Sequence, residues 1–131
     1  MGDVSLDWLS PEGASPEVLS QLQAEVGPLP SSYLDVLRVG NGGETGLTVS
    51  PLNFCLDTAQ SALDYWRSGT YTTSGVFVFG GNGGGTLLAF DISSAGRWPV
   101  VEFDPIDPQG SIAMVARDFE SLLALVGEPD A

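Results

Sequence analysis

Cationic side chains are scarce in this sequence, which has no lysine, no histidine and only four arginines against 17 aspartates and glutamates. The formal net charge of the 131 residues is therefore −13 at pH 7. A surface with this charge repels nucleic acids and anionic membranes, so we expect neither as a partner. Such a surface attracts a basic partner instead. The alternative interpretation is that the acidity serves only solubility.

Groups suited to catalysis are scarce for the same reason. Without histidine or lysine, no side chain has an ordinary pKa suited to proton transfer near pH 7, and a Ser-His-Asp triad is excluded. One cysteine and no histidine cannot supply the usual zinc ligands. The sequence therefore predicts a protein that is not an enzyme and that holds no metal and no cofactor. A carboxylate-based hydrolase or a metal-dependent enzyme is the remaining enzymatic alternative.

Cys55 is the only cysteine, so an internal disulfide is impossible, which fits a reducing cytoplasm. Its neighbours Phe54 and Leu56 predict that Cys55 is a small buried hydrophobic residue. The longest apolar runs are far too short to span a membrane. Met1 to Trp8 lacks the basic and apolar regions of a signal peptide, and we expect a cytoplasmic protein.

The length of the chain suits a single domain spanning residues 1–131. Within it, the sequence shows signals for four helices. A first short helix is predicted after a Ser15 cap and ends at Gly27, and a second is predicted after a Ser31 or Ser32 cap and ends at Gly40. Asp57 or Thr58 can cap a third helix that ends at Ser68. A last helix is predicted from about Arg117, because apolar side chains share one stripe: Phe119, Leu122, Leu123 and Val126.

Short runs rich in Val, Phe and Leu, bounded by glycine, predict a sheet. Thr45 to Leu56 contains one or two short strands, and three further runs follow: Val76 to Phe79, Thr86 to Ile92, and Trp98 to Phe103. The first two of those three are expected to pair as a hairpin. The predicted fold is α+β, with a central, mainly antiparallel sheet packed against about four helices.

The run from Gly80 to Gly85, interrupted by Asn82, suggests two roles. Consecutive backbone amides without side chains can surround a phosphate. However, a Walker loop needs lysine, and a dinucleotide loop needs a helix directly after the glycines, whereas residues 86–92 are predicted as a strand. A hairpin connection that uses glycine where positive φ is required is therefore favoured over phosphate binding.

Three acidic residues, Glu102, Asp104 and Asp107, lie within six positions and invite a metal-site interpretation. Two prolines interrupt the segment and no EF-hand spacing is present, which favours a solvated acidic turn that can meet a basic partner.

Tryptophan is enriched at protein interfaces, and the chain has three. Trp66 belongs to the apolar stripe of the third helix and is expected in the core. Trp98, between Arg97 and Pro99, is expected to be partly exposed, and the sequence does not decide for Trp8.

Several strings resemble one family. The segment Leu29 to Leu37, followed by Asn41, Gly42 and Gly43, is similar to a pattern of Leu-Pro, a tyrosine-containing helix and Asn-Gly-Gly. Residues 79–91 resemble that family's strand, glycine turn and strand, and residues 100–103 its next strand. Residues 112–114, leading to Phe119 and its leucines, resemble its closing helix. The family is the SMI1/KNR4 (SUKH) superfamily.

The resemblance implies a SUKH-like fold and a protein-binding function. Bacterial members are commonly immunity proteins that neutralise toxins, many of them nucleases, by direct binding, and fungal members regulate cell-wall synthesis. We therefore expect a cognate, basic toxin as the partner, with a regulatory or scaffolding interaction as the alternative. The residues expected to bind the partner are Glu44, Trp98, Glu102, Asp104 and Asp107. Those expected to be structural are Tyr33, Asn41, Gly42, Gly43, Gly84, Gly85 and Phe119.

Overall fold

The structure is a computed structural model that describes residues 6–69 and 75–127. The expectation made on Met1 to Trp8 therefore falls largely outside the described residues. Within them, the helices are α1 Pro16–Val26, α2 Ser31–Val39, α3 Ala59–Ser68, α4 Pro108–Ser111 and α5 Phe119–Leu123. The strands are β1 Gly43–Gly46, β2 Asn53–Leu56, β3 Val76–Gly81, β4 Leu87–Asp91, β5 Val100–Phe103 and β6 Ala113–Ala116.

The six strands form one antiparallel sheet in chain order, from β1 at one edge to β6 at the other. Helix α3 joins β2 to β3, and α4 joins β5 to β6. The predicted α+β class with a mainly antiparallel sheet is confirmed. The one or two strands expected between Thr45 and Leu56 are two, although β1 begins earlier, at Gly43, and β3 pairs with β4 as the expected hairpin.

Helix ends follow local capping chemistry. The hydroxyl of Ser15 accepts a hydrogen bond from the backbone N–H of Val18 at 3.3 Å, which satisfies one free donor at the start of α1. Thr58 does the same for α3, accepting from the N–H of Ser61 at 3.1 Å. Gly69 ends α3 in the left-handed conformation, with φ at 67°, where a side chain is unfavourable.

One face of the sheet, here called the inner face, packs against the helices through an aromatic core. Tyr33 of α2 is fully buried, and its ring lies 5.4 to 6.2 Å from the ring centroids of four phenylalanines: Phe77, Phe79, Phe90 and Phe119. Burying each such side chain contributes about 1.5–3 kcal/mol, so this cluster anchors both α2 and α5 to the sheet.

The alternate side chains of the strands point to the opposite face, here called the outer face. A second buried apolar cluster lies there, formed by Val76, Val78, Ala89, Val101 and Phe103. Cross-strand partners share a face, and one outer-face row runs across five strands: Glu44, Cys55, Gly81, Leu87 and Phe103.

The C-terminal part differs from the predicted helix. Residues 112–114 were expected to lead into it, but Ala113–Ala116 forms strand β6, because this segment pairs with β5. The acidic turn before it contains the one-turn helix α4, so residues 6–69 and 75–127 form five helices where about four were predicted. Helix α5 begins at Phe119 rather than Arg117, since Asp118 caps it, and it ends at Leu123. Val126 lies beyond it and forms a β-bridge with Leu47.

Candidate partner-binding surface

The acidic residues expected to bind a partner do not converge on one site. Glu44 lies on the outer-face row that runs through Cys55 to Phe103. Glu102 is adjacent to Phe103 in β5 and pairs with Leu88, a core residue, so its side chain belongs to the inner face. The hydroxyl of Ser50 donates to Glu102 Oε1 at 3.4 Å. Glu44 and Glu102 therefore present their carboxylates on opposite sides of the sheet.

Asp104 and Asp107 lie together in the turn between β5 and β6, where both are exposed. Asp104 Oδ1 accepts from the backbone N–H of Ile106 at 2.8 Å, and Asp107 Oδ1 accepts from that of Gly110 at 3.2 Å. Each carboxylate thus stabilises the turn with one oxygen. The second oxygen of each makes no hydrogen bond to the described residues, so both acids can meet a cationic group.

Trp98 is only 8% exposed, so the expectation of partial exposure is wrong. Its ring packs 6.2 Å from that of Phe90 at the end of the aromatic core, which explains the burial. The rest of its surface lines a groove of about 310 Å³ together with Pro28, Pro30 and Phe119. The groove also holds the ion pair between Arg97 and Asp118, so its one cation is already neutralised. Trp66, by contrast, packs against the core as predicted.

A second concave region, here called the acidic cleft, lies on the outer face beside the β3–β4 hairpin. It consists of two adjoining openings of about 470 and 190 Å³ that share Cys55 and Gly83. Glu44 lines the larger opening and Asp57 the smaller one. Cys55 and Asp57 are two positions apart at the end of β2, so strand alternation directs both side chains to the same face. The two acids therefore flank the thiol.

Asp57 is the electrostatically unusual residue of the acidic cleft. Burial raises the pKa of its carboxyl group from 3.8 to about 6, because the charged form loses solvent. No hydrogen bond from the described residues reaches that carboxylate. The pKa of the Cys55 thiol is also raised, by burial first and then by the negative charges of Glu44 and Asp57. At neutral pH the cleft therefore combines a carboxylate whose negative charge no described residue pairs or hydrogen-bonds with a protonated, unreactive thiol.

The glycines beside the cleft allow the backbone segments to approach closely. A Cβ atom at Gly80 would overlap the carbonyl oxygen of Cys55 on β2. Gly83 and Gly85 have φ values of 79° and 119°, as predicted for a hairpin that needs positive φ. Asn82 Oδ1 accepts from the N–H groups of Gly84 at 2.8 Å and Thr86 at 3.1 Å. Two amides of the loop therefore already bond to Asn82 and acids lie alongside, an arrangement that disfavours phosphate binding.

Five of the seven residues expected to be structural occupy buried or junction positions, whereas Gly84 and Gly85 lie exposed in the β3–β4 loop and only Gly85 has a positive φ. Asn41 Oδ1 accepts from the backbone N–H of Ala59 at 2.8 Å, which joins the end of α2 to the start of α3. Gly42, at φ 100°, lies against the carbonyl of Leu56, and a Cβ at Gly43 would overlap the backbone of Trp8. Phe119 is completely buried beneath α2.

Arginines offer little compensation for the acids. Three of the four form ion pairs within the chain: Arg38 with Asp35, Arg67 with Glu25, and Arg97 with Asp118. Arg117 forms none with the part of the chain that the structure describes. Within residues 6–69 and 75–127, no group of three or more potential ligand side chains could hold a metal ion. None of the described helices combines the length and apolar character needed to cross a membrane.

Sequence reasoning missed the acidic cleft. The sequence indicates Asp57 only as a candidate helix cap, but Thr58 caps α3, and Cys55 is half-buried in the cleft rather than a core residue. The alternation from Asn53 to Asp57 contains the signal. Phe54 and Leu56 must face the core, so Cys55 and Asp57, which follow them, face the other side.

Comparison with known families gives one match. The model of the SMI1 / KNR4 family (SUKH-1) matches residues 13–125 of the chain. No curated protein matches the chain. The matched range contains all three regions considered above: the acidic cleft, the Trp98 groove and the acidic turn.

Proposed function

Because the chain belongs to the SMI1/KNR4 family (SUKH-1), we propose that it is a protein-binding module of the immunity type, which neutralises a basic toxin by direct binding. The family is generally non-enzymatic, which favours binding over catalysis. The observation that carries the proposal is the acidic cleft. There, Glu44 and a partly buried Asp57 lie on one concave surface, and none of the described residues that line it is cationic.

The energetics of Asp57 support a cationic ligand for this cleft. A carboxylate that has lost solvent without gaining a hydrogen-bond donor destabilises the free protein. A lysine or arginine side chain from a partner can supply both the donor and the opposite charge. Removing one member of such a desolvated charge pair typically weakens binding by about 2–5 kcal/mol. The cleft is therefore suited to recognise one projecting cation specifically.

The remaining charge of the molecule supports fast encounter with the same kind of partner. A net charge of −13 produces an attractive field for a basic protein, and such steering raises association rates most strongly at low ionic strength. A nuclease toxin fits this description, because its own nucleic-acid site is basic. An acidic protein bound over that site blocks the substrate.

Affinity capture of the tagged protein from its own cells, with washes at low and high salt, tests the proposal. We expect a basic toxin domain to be retained at low salt and released at high salt, and co-expression of the protein to restore growth of cells that produce the toxin. The matched variants are Asp57→Asn within the cleft and Glu12→Gln on the exposed surface elsewhere. Asp57→Asn should abolish protection and Glu12→Gln should retain it.

The regulatory alternative makes a different prediction for the same experiment. A housekeeping protein that is captured reproducibly, together with no protection against any toxin domain, would replace the immunity role with a scaffolding one. Protection that survives in both the Asp57→Asn and Glu44→Gln variants would contradict the assignment of the cleft as the contact surface.

A further inference from the structure

The two edges of the sheet differ in how much of their backbone is covered. At β1, Leu9 bridges to Gly43, and the N–H of Gly127 donates to the carbonyl of Gly46 at 3.0 Å. At β6, residues 112–116 make no backbone hydrogen bond to any described residue other than those of β5. One edge is therefore largely closed by the chain itself, and the other presents free N–H and C=O groups.

The open edge also carries exposed apolar side chains. Met114 pairs with Val101 of the outer face and is 66% exposed. Ile112 has an extended backbone two positions earlier, so it shares that face, and it is 43% exposed. Ile106, in the turn before α4, is 91% exposed. The apolar surface of the outer-face cluster thus extends to the edge of the sheet, where Ile112 and Met114 are exposed to solvent.

Proteins usually protect an open edge strand. Lysine, proline or an inward-pointing charge prevents another strand from pairing with it. None of these lies within β6, whose sequence is Ala-Met-Val-Ala; its protection is limited to its length of four residues and to the irregular register with β5 at Val115. A free edge with apolar side chains is the arrangement that accepts an added strand from another chain, with backbone hydrogen bonds for affinity and side-chain contacts for specificity.

Charge indicates which chain would be added. Asp104 and Asp107 lie just before β6, and the backbone N–H of Asp104 donates to Ser111 Oγ at 2.7 Å, which holds the acidic turn beside the start of that strand. A second copy of this protein brings a further −13, so repulsion opposes pairing of two copies. A strand with cationic side chains near one end meets both requirements.

We propose that the β6 edge docks a β-strand of a basic protein partner, whose apolar side chains cover Ile112 and Met114 while a lysine or arginine reaches Asp104 or Asp107. This inference rests on the proposed function, since it assumes a basic protein partner, and it assigns that partner a second contact beyond the acidic cleft.

A peptide of six residues with alternating lysine and valine, blocked at both ends, tests the edge directly, because it presents one apolar and one basic face as a strand. Amide hydrogen exchange followed by NMR reports where it binds. We expect saturable slowing of exchange at residues 112–116. A peptide of alternating lysine and glycine has the same charge but no apolar face, and it should not protect these amides.

The matched variants are Met114→Lys at the edge and Val39→Lys on α2, where Val39 is 54% exposed and the change in charge is identical. Loss of the apolar contact in Met114→Lys should weaken peptide binding about tenfold, with Val39→Lys close to the wild type. Ile112→Lys provides a second edge variant.

Three results of the experiments without toxin would overturn the proposal. The first is that the peptide protects only amides of the acidic cleft. The second is that Met114→Lys and Val39→Lys weaken peptide binding equally. The third is protection of residues 112–116 without peptide that grows with protein concentration, which would identify a second copy as the occupant. The outcome is separable from the immunity role: a toxin that protects amides near Asp57 but not those of β6 removes the edge proposal and leaves that role intact.

Discussion

At the scale of single residues, Asp57 makes the stability of the protein depend on pH. Its pKa is about 6 in the folded protein and 3.8 when exposed, so the folded state binds the proton more tightly. Stability therefore falls as pH rises from about 4 to 6, because the charged form is disfavoured only after folding. Asp118 has the opposite effect. Hydrogen bonds from Ser121 and Arg97 lower the pKa of its carboxyl group, so its charged form stabilises the fold, and this stabilisation is lost as pH falls below the ordinary pKa of 3.8.

Replacing Asp57 by Asn removes the desolvated charge. We expect the variant to be more stable than the wild type at pH 7 by about 1 kcal/mol, less than the pKa difference alone converts to, because the side chain is partly exposed. The variant should also lose the fall in stability between pH 4 and 6. Urea unfolding at several pH values measures this. Glu12→Gln is the control, and the same pH profile in both variants would assign the dependence to other groups.

Tyr33 carries the other unusual polar group. Its hydroxyl is buried without a hydrogen-bond partner among the described residues, although the ring is central to the aromatic core. Burial raises the pKa of this phenol far above its usual value, so it remains neutral. Tyr33→Phe keeps every ring contact and should stabilise the protein by about 1 kcal/mol, because it removes an uncompensated desolvation cost. A loss of stability in thermal or urea unfolding would mean that the hydroxyl is bonded.

At the scale of elements, the contact between β2 and the β3–β4 hairpin requires glycine at one position and not at another. A Cβ at Gly80 overlaps the Cys55 carbonyl, whereas a Cβ at Gly84 has only a side-chain atom of Asn82 at 3.7 Å. Gly80→Ala should destabilise the protein by about 1–3 kcal/mol, and Gly84→Ala should be nearly neutral. Denaturant unfolding compares the two, and equal effects would contradict the close approach of β2 and β3.

At the scale of the whole molecule, acidic self-repulsion opposes the folded state. Screening shortens the range of this repulsion from about 30 Å at 0.01 M salt to about 8 Å at 0.15 M, so Tm should rise with sodium chloride. A variant with Glu12, Glu17 and Glu44 changed to Gln has three fewer negative charges and should show a smaller rise. Differential scanning calorimetry of the two proteins measures the slopes. A Tm that is independent of salt would indicate that the charges are too dispersed to matter.

At the same scale, the sequence predicted the fold class correctly but did not predict which residues form the acidic cleft. Hydrophobic periodicity and capping are local properties, and they predicted α1, α2, α3 and the hairpin before any contact was known. Strand β6 was missed because its Ala-Met-Val-Ala run is too short for a clear alternation, and only pairing with β5 makes it a strand. The buried position of Trp98 likewise depends on its contact with Phe90. Phe90 lies on β4, and the turn that leads to β5 brings Trp98 beside it.

The sequence by itself determined the charge, the absence of histidine and lysine chemistry, and the starts of α1 and α3, because each of these depends on residue identity or on neighbours within a few positions. Tertiary structure alone decided that Glu44 and Glu102 lie on opposite faces, that Asp57 is desolvated beside Cys55, and that β6 is an open edge. Those facts depend on which strands pair and in what register, and pairing energies come from residues distant in sequence.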